Sequence, residues 1–392
     1  GKVGYAAGFD RQEREGVTEI LYCTDEALLR EMFNDPLLSR FAVVMVDEAH
    51  ERSVATDMLL GLLKKVQRRR PDLRIVVASA TLDAARFAAF FDLSGAELPA
   101  EPSGAPPHPS MQPAIVSVEG RSHPVELYYA EQPCANYTTA AVEAALEVHH
   151  SLGPGDVLVF LTSREEVHTA VEQLQSAKGV LALPMHADLP PEMQDRVFRG
   201  APSGQRKIIV STGVAEASLT LPGVVFVVDA MFSRTRAYDP LTGLEAVVVE
   251  PVSRFSAVQR AGRAGRVRPG KCFRLCTEAD FKTLSEATPP QIQRAELSGV
   301  VLQLKAMGVD NIMAFDWLSP PSSEAMIRAL ELLYALGALG EDARLTDPLG
   351  LHLAELPVHP MLGKALLVSG ELGCVEEMLT IASMVSVKHV WA

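Results

Sequence analysis

Asp47-Glu48-Ala49-His50 follows directly on the apolar run Phe41-Ala-Val-Val-Met-Val46. In open α/β sheets ligands bind at the carboxyl ends of strands, so two carboxylates at this position stand where chemistry is expected. An Asp there can hold a divalent cation, as in nucleotide hydrolases. A neighbouring Glu can orient and deprotonate an attacking water. The competing reading is structural: Asp-Glu opens a helix as a charged cap. Ser79-Ala80-Thr81 ends the next apolar run, Arg74-Ile-Val-Val-Ala-Ser79, at the same edge. Hydroxyls at that edge are placed to link a phosphate site to a moving neighbour.

A second constellation lies more than 200 residues downstream, in Gln259-Arg-Ala-Gly-Arg-Ala-Gly-Arg266. Arginines three apart, with glycines that allow close backbone approach, suit the neutralisation of a transferring γ-phosphoryl group. The alternative is a basic loop that faces RNA. The run sits in a larger basic stretch: Arg254, Arg260, Arg263, Arg266, Arg268, Lys271 and Arg274, with no acid among them. The Gly and Ala spacing predicts side chains that converge on an anion. The chain as a whole carries a net charge of −13, which argues against simple electrostatic binding of nucleic acid.

These residues need sheets to present them. The two apolar runs, with the amphipathic pattern of Thr56 to Arg70 between them, predict a βαβ unit whose strands are covered on both faces. Pro102 to Pro113 is Pro-rich and reads as a disordered insertion. The same grammar returns from Val125 to Thr277, with strands predicted over 156–161, 180–184, 207–211 and 224–229 and a helix over 165–175. A hairpin follows, with Asp239-Pro-Leu-Thr-Gly243 at its turn and 244–250 as one arm. Two such α/β layers predict paired domains with a ligand cleft between them. Beyond Thr277 the periodicity is helical, over 296–307, 323–336 and from Val375 onward. Leu345-Thr-Asp-Pro-Leu-Gly350 reads as the short strand and turn of a winged helix. The five cysteines are scattered, with no spacing for a zinc site, and are expected as buried thiols in a reducing compartment. No apolar stretch approaches the roughly 20 residues that span a bilayer.

Taken together, DEAHER, SAT, STGVAEASLT and QRAGRAGR resemble motifs II, III, V and VI of the DEAH-box helicases of superfamily 2. The resemblance continues through Thr24-Asp-Glu-Ala-Leu-Leu-Arg-Glu31 (motif Ib), Val159-Phe-Leu-Thr162 (motif IV) and Gly120-Arg-Ser-His-Pro-Val125. Residues 302–312 and 329–339 are most similar to a spliceosome-associated member. The family implies an α/β fold of two RecA-like parallel-sheet domains, the first truncated at its N-terminus. A winged-helix domain and the start of a helical, ratchet-like domain follow. Mapped on this chain, the domains are 1–100, 114–277, 278–356 and 357–392, with the insertion at 101–113.

The resemblance also implies roles, residue by residue. Asp47 corresponds to the Asp that holds Mg²⁺ through water, and Glu48 to the catalytic base. His50, Ser79 and Thr81 correspond to the couplers of hydrolysis to domain movement. Gln259, Arg263 and Arg266 correspond to γ-phosphate contacts, and Phe198 to the aromatic that stacks on adenine. Ser218 and Asp229 correspond to nucleotide-facing positions. Thr24, Asp25, Thr162, Ser211 and Thr212 correspond to contacts with the RNA backbone, which position a strand without reading its sequence. The hairpin near 238–252 corresponds to the strand separator. The implied cofactors are ATP and Mg²⁺, and the implied partners are RNA and spliceosomal proteins, in the nucleus, with no membrane. The chain departs from the family at Gly8, at Ser163-Arg164, at Gly213 and at Ala217, which predicts a weaker grip on RNA.

No Gly-x-x-x-x-Gly-Lys-Ser/Thr loop occurs in the 392 residues, and the chain opens on Gly1-Lys2-Val3 without an initiator Met. A fragment or processed product is therefore expected, with negligible ATPase activity as an isolated polypeptide. Two functions are weighed: an ATP-dependent RNA helicase moving 3′→5′, and an RNA- or protein-binding scaffold without ATP turnover. The intact Asp47, Glu48, Arg263 and Arg266 favour the first.

Overall fold

The computed structural model describes residues 1–8, 10–80, 83–94, 112–118, 123–216 and 220–386. They fall into two compact units, one made of 1–117, 238–245 and 290–392, the other of 118–237 and 246–289. The Pro-rich insertion lies outside the described residues except at Gln112 and Pro113.

The first unit begins with β1 (Val3–Ala7), β2 (Asp10–Gln12) and β3 (Ile20–Cys23), in the order β2-β1-β3. Thr24 caps α1 (Asp25–Asn34), its hydroxyl accepting from Ala27 N at 3.3 Å. A βαβ unit follows as predicted: β4 (Val43–Val46), α2 (Val54–Gln67) and β5 (Arg74–Val77), with β4 and β5 parallel from Val43↔Arg74 to Val46↔Val77. The helix starts two residues earlier than its apolar pattern suggests, because Ser53 Oγ accepts from Thr56 N at 3.0 Å. α3 (Ala84–Phe91) completes this part. The expected burial of both sheet faces does not hold for this pair: Val44 and Val46 are in the core while Val43, Met45 and Val76 are exposed.

The second unit is built on β6 (Val125–Tyr129), α4 (Tyr137–Ser151), β7 (Asp156–Phe160), α5 (Arg164–Gln175), β8 (Val180–Met185), α6 (Pro191–Asp195), β9 (Arg206–Ser211) and β10 (Val224–Asp229). After the hairpin β11 (Phe232–Asp239) and β12 (Leu244–Pro251) come α7 (Arg254–Gly262), β13 (Gly270–Arg274) and α8 (Glu278–Thr283). Six strands form one parallel sheet in the order β6-β13-β10-β7-β9-β8. Here both faces are buried, and the alternation is visible along β7. Val157 and Val159 join one apolar cluster, Leu158 and Phe160 the other. The hairpin tip, 238–245, belongs to the first unit.

The rest of the first unit is helical: α9 (Ser298–Ala306), α10 (Ser323–Ala335), α11 (Leu349–Glu355), α12 (Pro360–Leu372) and α13 (Val375–Ser386). The strand expected at Leu345 is reduced to a single antiparallel bridge between Leu339 and Leu345. Leu29, Leu59 and Leu63 from the front of the chain share one core with Val301, Leu304, Phe315 and Leu333 from the back. Of the cysteines only Cys272 is buried, and Cys23 is exposed, so the expectation of buried thiols fails. No helix among the described residues is long and apolar enough to cross a membrane.

Candidate functional site

At the carboxyl end of β4 the chain makes a turn that ordinary residues avoid. Glu48 (φ 48°, ψ 35°) and Arg52 (φ 51°, ψ 46°) are both left-handed and bracket a 3₁₀ turn over Ala49–Glu51. Each such non-glycine residue costs on the order of 1–3 kcal/mol and persists only where its surroundings over-determine it. The result is an exposed Asp47 whose Oδ1 accepts the Glu48 N–H at 2.9 Å, which fixes the carboxylate beside the strand end. Glu48 is half-buried next to it.

The neighbouring strand end is tied to this turn. Ala49 N donates to Ala78 O at 3.0 Å, and Ala80 N donates to His50 Nδ1 at 3.3 Å. Glu48 Oε2 lies 3.4 Å from the same Nδ1. One nitrogen cannot accept from Ala80 and donate to Glu48 together, so the ring tautomer decides which of the two it bonds. Asp47, Glu48, His50 and the half-buried Ser79 are thus brought to one sheet edge. Thr81 lies outside the described residues. Thr24 and Asp25 are drawn into helix starts: Thr24 is the α1 cap, and Asp25 Oδ2 accepts from the hydroxyl of Thr56.

In the second unit Gln259 sits half-buried on α7, and Arg263 follows the helix end. The Arg263 side chain folds back, Nε lying 3.3 Å from Gln259 O and Nη2 3.5 Å from Gln259 Oε1. Arg266 is exposed. Phe198, on a short 3₁₀ turn, is 38% exposed, so the ring is available for stacking instead of filling the core. Ser218 lies outside the described residues.

Several expected contacts face inward. Asp229 has no exposed surface, and its Oδ1 accepts from Arg260 Nη1 at 2.9 Å and Met231 N at 2.8 Å. Arg260 Nε also bonds Glu216 at 2.9 Å, and its guanidinium lies 4.9 Å from the centre of the Phe160 ring. Ser211 is fully buried and donates to Thr212 O at 2.8 Å, while Thr212 itself is half-buried. Thr162 is buried and donates from Oγ1 to Glu166 at 2.8 Å, with Tyr137 on the other carboxylate oxygen at 2.6 Å.

The basic run does not converge on one anion. Arg260 and Arg274 are buried, the latter donating to Tyr129 at 2.7 Å with the Phe281 ring 4.1 Å away. Arg254 pairs with Glu286 at 3.1 Å, Lys271 pairs with Glu126 at 3.1 Å, and Arg268 donates to Pro154 O. Sequence reasoning missed the acids that receive Arg260 and Thr162. Glu216 and Glu166 lie far from the first and four residues from the second, and only the latter spacing, i to i+4 at a helix start, signals the contact. No cluster of three or more His, Cys, Asp or Glu suited to a metal occurs among the described residues.

Comparison with known proteins adds to this geometry. Residues 140–268 match the helicase conserved C-terminal domain. Residues 329–358 match the winged-helix helicase associated domain, and 359–392 its ratchet-like counterpart. The whole chain is 46% identical over 400 residues to the human protein named Probable ATP-dependent RNA helicase DHX35, covering 56% of it. It is 44% identical over 398 residues to the Schizosaccharomyces pombe Pre-mRNA-splicing factor ATP-dependent RNA helicase prp22, covering 99% of this chain and 32% of that one. The crystal structure of the Escherichia coli DEAH/RHA helicase HrpB superposes with a TM-score of 0.86 at 31% identity, over all of this chain and 47% of that one. The chain spans about half the length of the human relative.

Proposed function

We infer, from a chain that belongs to the DEAH-box family of RNA helicases, a motor that couples ATP hydrolysis to 3′→5′ movement on RNA and to remodelling of RNA or RNA–protein complexes. The observation that carries the reading is the strained turn at the end of β4. It presents Asp47 and Glu48 side by side and ties them through His50 to the Ser79–Ala80 strand end.

Asp47 offers a hard oxygen donor with one carboxylate oxygen already fixed, which fits Mg²⁺ held through water. Bound there, the ion supplies charge neutralisation for a transferring phosphoryl group. Glu48 orients the attacking water and takes its proton. His50, with Ser79 and Thr81, transmits the state of this turn to the adjoining strand end. Gln259, Arg263 and Arg266 contact the γ-phosphate, and Phe198 stacks on the adenine. Ser218 contributes to the nucleotide side, where Asp229 acts by holding Arg260. Thr24, Asp25, Thr162, Ser211 and Thr212 form the segments along which the RNA backbone runs, the buried hydroxyls acting through the backbone they shape. The name of the Schizosaccharomyces pombe relative supports a role in pre-mRNA splicing; spliceosomal proteins as partners and a nuclear setting belong to the same proposal.

The test is RNA-stimulated phosphate release by the protein that carries this chain. Glu48→Gln is expected to lower the stimulated rate by about a hundredfold or more, the usual worth of a general base. RNA binding without stimulated hydrolysis in the wild type overturns the reading in favour of a scaffold.

A further inference from the structure

We propose that Ser319 is a positioning residue, the single hydroxyl that locks the Asp47–Arg52 turn and the segment after Ser79–Thr81 to the same strap of chain. The proposal rests on the helicase reading only for its consequence on hydrolysis.

The strap is Phe315-Asp-Trp-Leu-Ser319, between α9 and α10, and it lies along α2. Gly61 on that helix makes room for it, since a Cβ there would meet the Phe315 ring and the Asp316 carbonyl oxygen. Asp316 pairs with Lys64 at 3.3 Å and with Arg68 at 2.9 Å, one and two turns further along the helix. Phe315 and Trp317 stand edge to face, 4.6 Å between centroids. The strap is therefore a fixed object to which other groups can be anchored.

Two arginines use it. Arg52, the left-handed residue that closes the catalytic turn, is buried with its Nε and Nη2 on the two oxygens of Asp57, at 2.6 and 3.1 Å. Its Nη2 also donates to Ser319 Oγ at 2.7 Å. Arg86, on α3 just after the Ser79–Thr81 segment, donates from Nη2 to the same Oγ at 2.7 Å and to Leu318 O at 3.2 Å. A serine oxygen has two acceptor lone pairs, and here both receive a charged donor. Gln291 clasps the turn from the other side, its N donating to Arg52 O at 3.1 Å and its Oε1 accepting from Val54 N at 3.3 Å.

The left-handed Arg52 is held both by its guanidinium contacts and by Gln291 N on its carbonyl, and Glu48 shares the strain of the same turn. Removing the hydroxyl takes one acceptor from the buried Arg52, which keeps only Asp57, and one from the exposed Arg86, and so loosens the turn. Misplacing a catalytic group by about 1 Å costs on the order of a hundredfold in rate.

Ser319→Ala and the conservative Ser319→Thr test this in two arms. In the 392-residue chain, hydrogen exchange of the amides of 48–54 is expected to quicken roughly tenfold in Ser319→Ala, the factor for losing one charge-assisted hydrogen bond. The six-stranded sheet should exchange as in the wild type, and Ser319→Thr should restore protection. In the protein that carries this chain, Ser319→Ala should cut the RNA-stimulated kcat roughly fivefold or more. The rate without RNA should fall by a similar factor, since both use Glu48, while the KM for ATP should be unmoved. Unchanged exchange at 48–54, an equal loosening of the whole unit, or failure of threonine to rescue each overturns the proposal. A wild type without stimulated hydrolysis instead removes the helicase reading, and the exchange arm still decides the role of Ser319.

Discussion

Replacing Arg260 with leucine separates two roles that its place in the Gln259–Arg266 string leaves confounded. If the side chain faced a nucleotide, the variant would fold normally and fail in activity. The structure places it inside the second unit, 1% exposed, with Asp229 and Glu216 each 2.9 Å away and Phe232 O at 3.2 Å. Without it, Asp229 keeps one hydrogen bond, from Met231 N, and has no exposed surface through which water can solvate it. Removing one partner of a buried ion pair in this way costs about 3–5 kcal/mol. For a domain of this size each kcal/mol lowers Tm by about 2–4 °C, so the unfolding transition of the second unit should fall by about 6–20 °C. Scanning calorimetry on the whole chain reads this directly. Arg266→Leu is the control: its side chain is exposed, and the shift should stay within about 0.5 kcal/mol. Adding Asp229→Leu to Arg260→Leu should recover part of the loss, since an apolar pair of similar volume often replaces a buried ion pair at little cost. An Arg260→Leu protein that melts within a degree or so of the wild type, under the 2 °C that even 1 kcal/mol would give, refutes the reasoning.

Gly61→Ala should destabilise the first unit by about 1–3 kcal/mol, because the added Cβ would lie 2.7 Å from Asp316 O and closer still to the Phe315 ring; urea unfolding measures it, and a neutral result would show that the strap yields. Glu296 carries a pH signature: burial raises its pKa, but bonds from His359 and from both the N–H and hydroxyl of Ser298 outweigh this and hold it below 4.5. Its stabilising contribution is therefore full above the unfolded value of 4.5 and lost as pH falls through the lower folded value. Glu296→Gln should flatten that acid-side loss of stability, read as urea midpoints against pH, and an unchanged slope would show that the carboxylate carries none of it.

The strands and helices that place the site were legible because their signals are local. Val224–Asp229 and Val375 onward follow from apolar runs and helical spacing alone. What escaped was of two kinds. The three-stranded sheet of β1 to β3 is built from strands of five, three and four residues, too short for the apolar Ile20–Cys23 to announce a sheet by its pattern. The long-range polar ties, Arg52 to Ser319 and Arg260 to Glu216, join residues 267 and 44 positions apart and leave no periodicity at all. A hydroxyl at a strand end also reads the same whether it points out or in, so the burial of Thr162 and Ser211 is not visible in the sequence.

The basic run shows why spacing overstated convergence. Residues 260, 263 and 266 share a face only while the chain remains helical, and α7 stops at Gly262. Arg260 is still on the helix, on the face where Ala257 and Ala261 pack into the core, so its guanidinium is carried inward to Asp229. Arg263 stands at the helix end and Arg266 beyond it, and the alternating strand that follows assigns Lys271 to Glu126 and buries Arg274. An arginine three residues from its neighbour is therefore buried or presented to solvent according to how far beyond the helix end it lies. Here Arg263, just past Gly262, is still buried at 7% exposure and folds back on Gln259, while Arg266, further on, is exposed. Moving the boundary, more than changing the charge, would alter which arginines are presented.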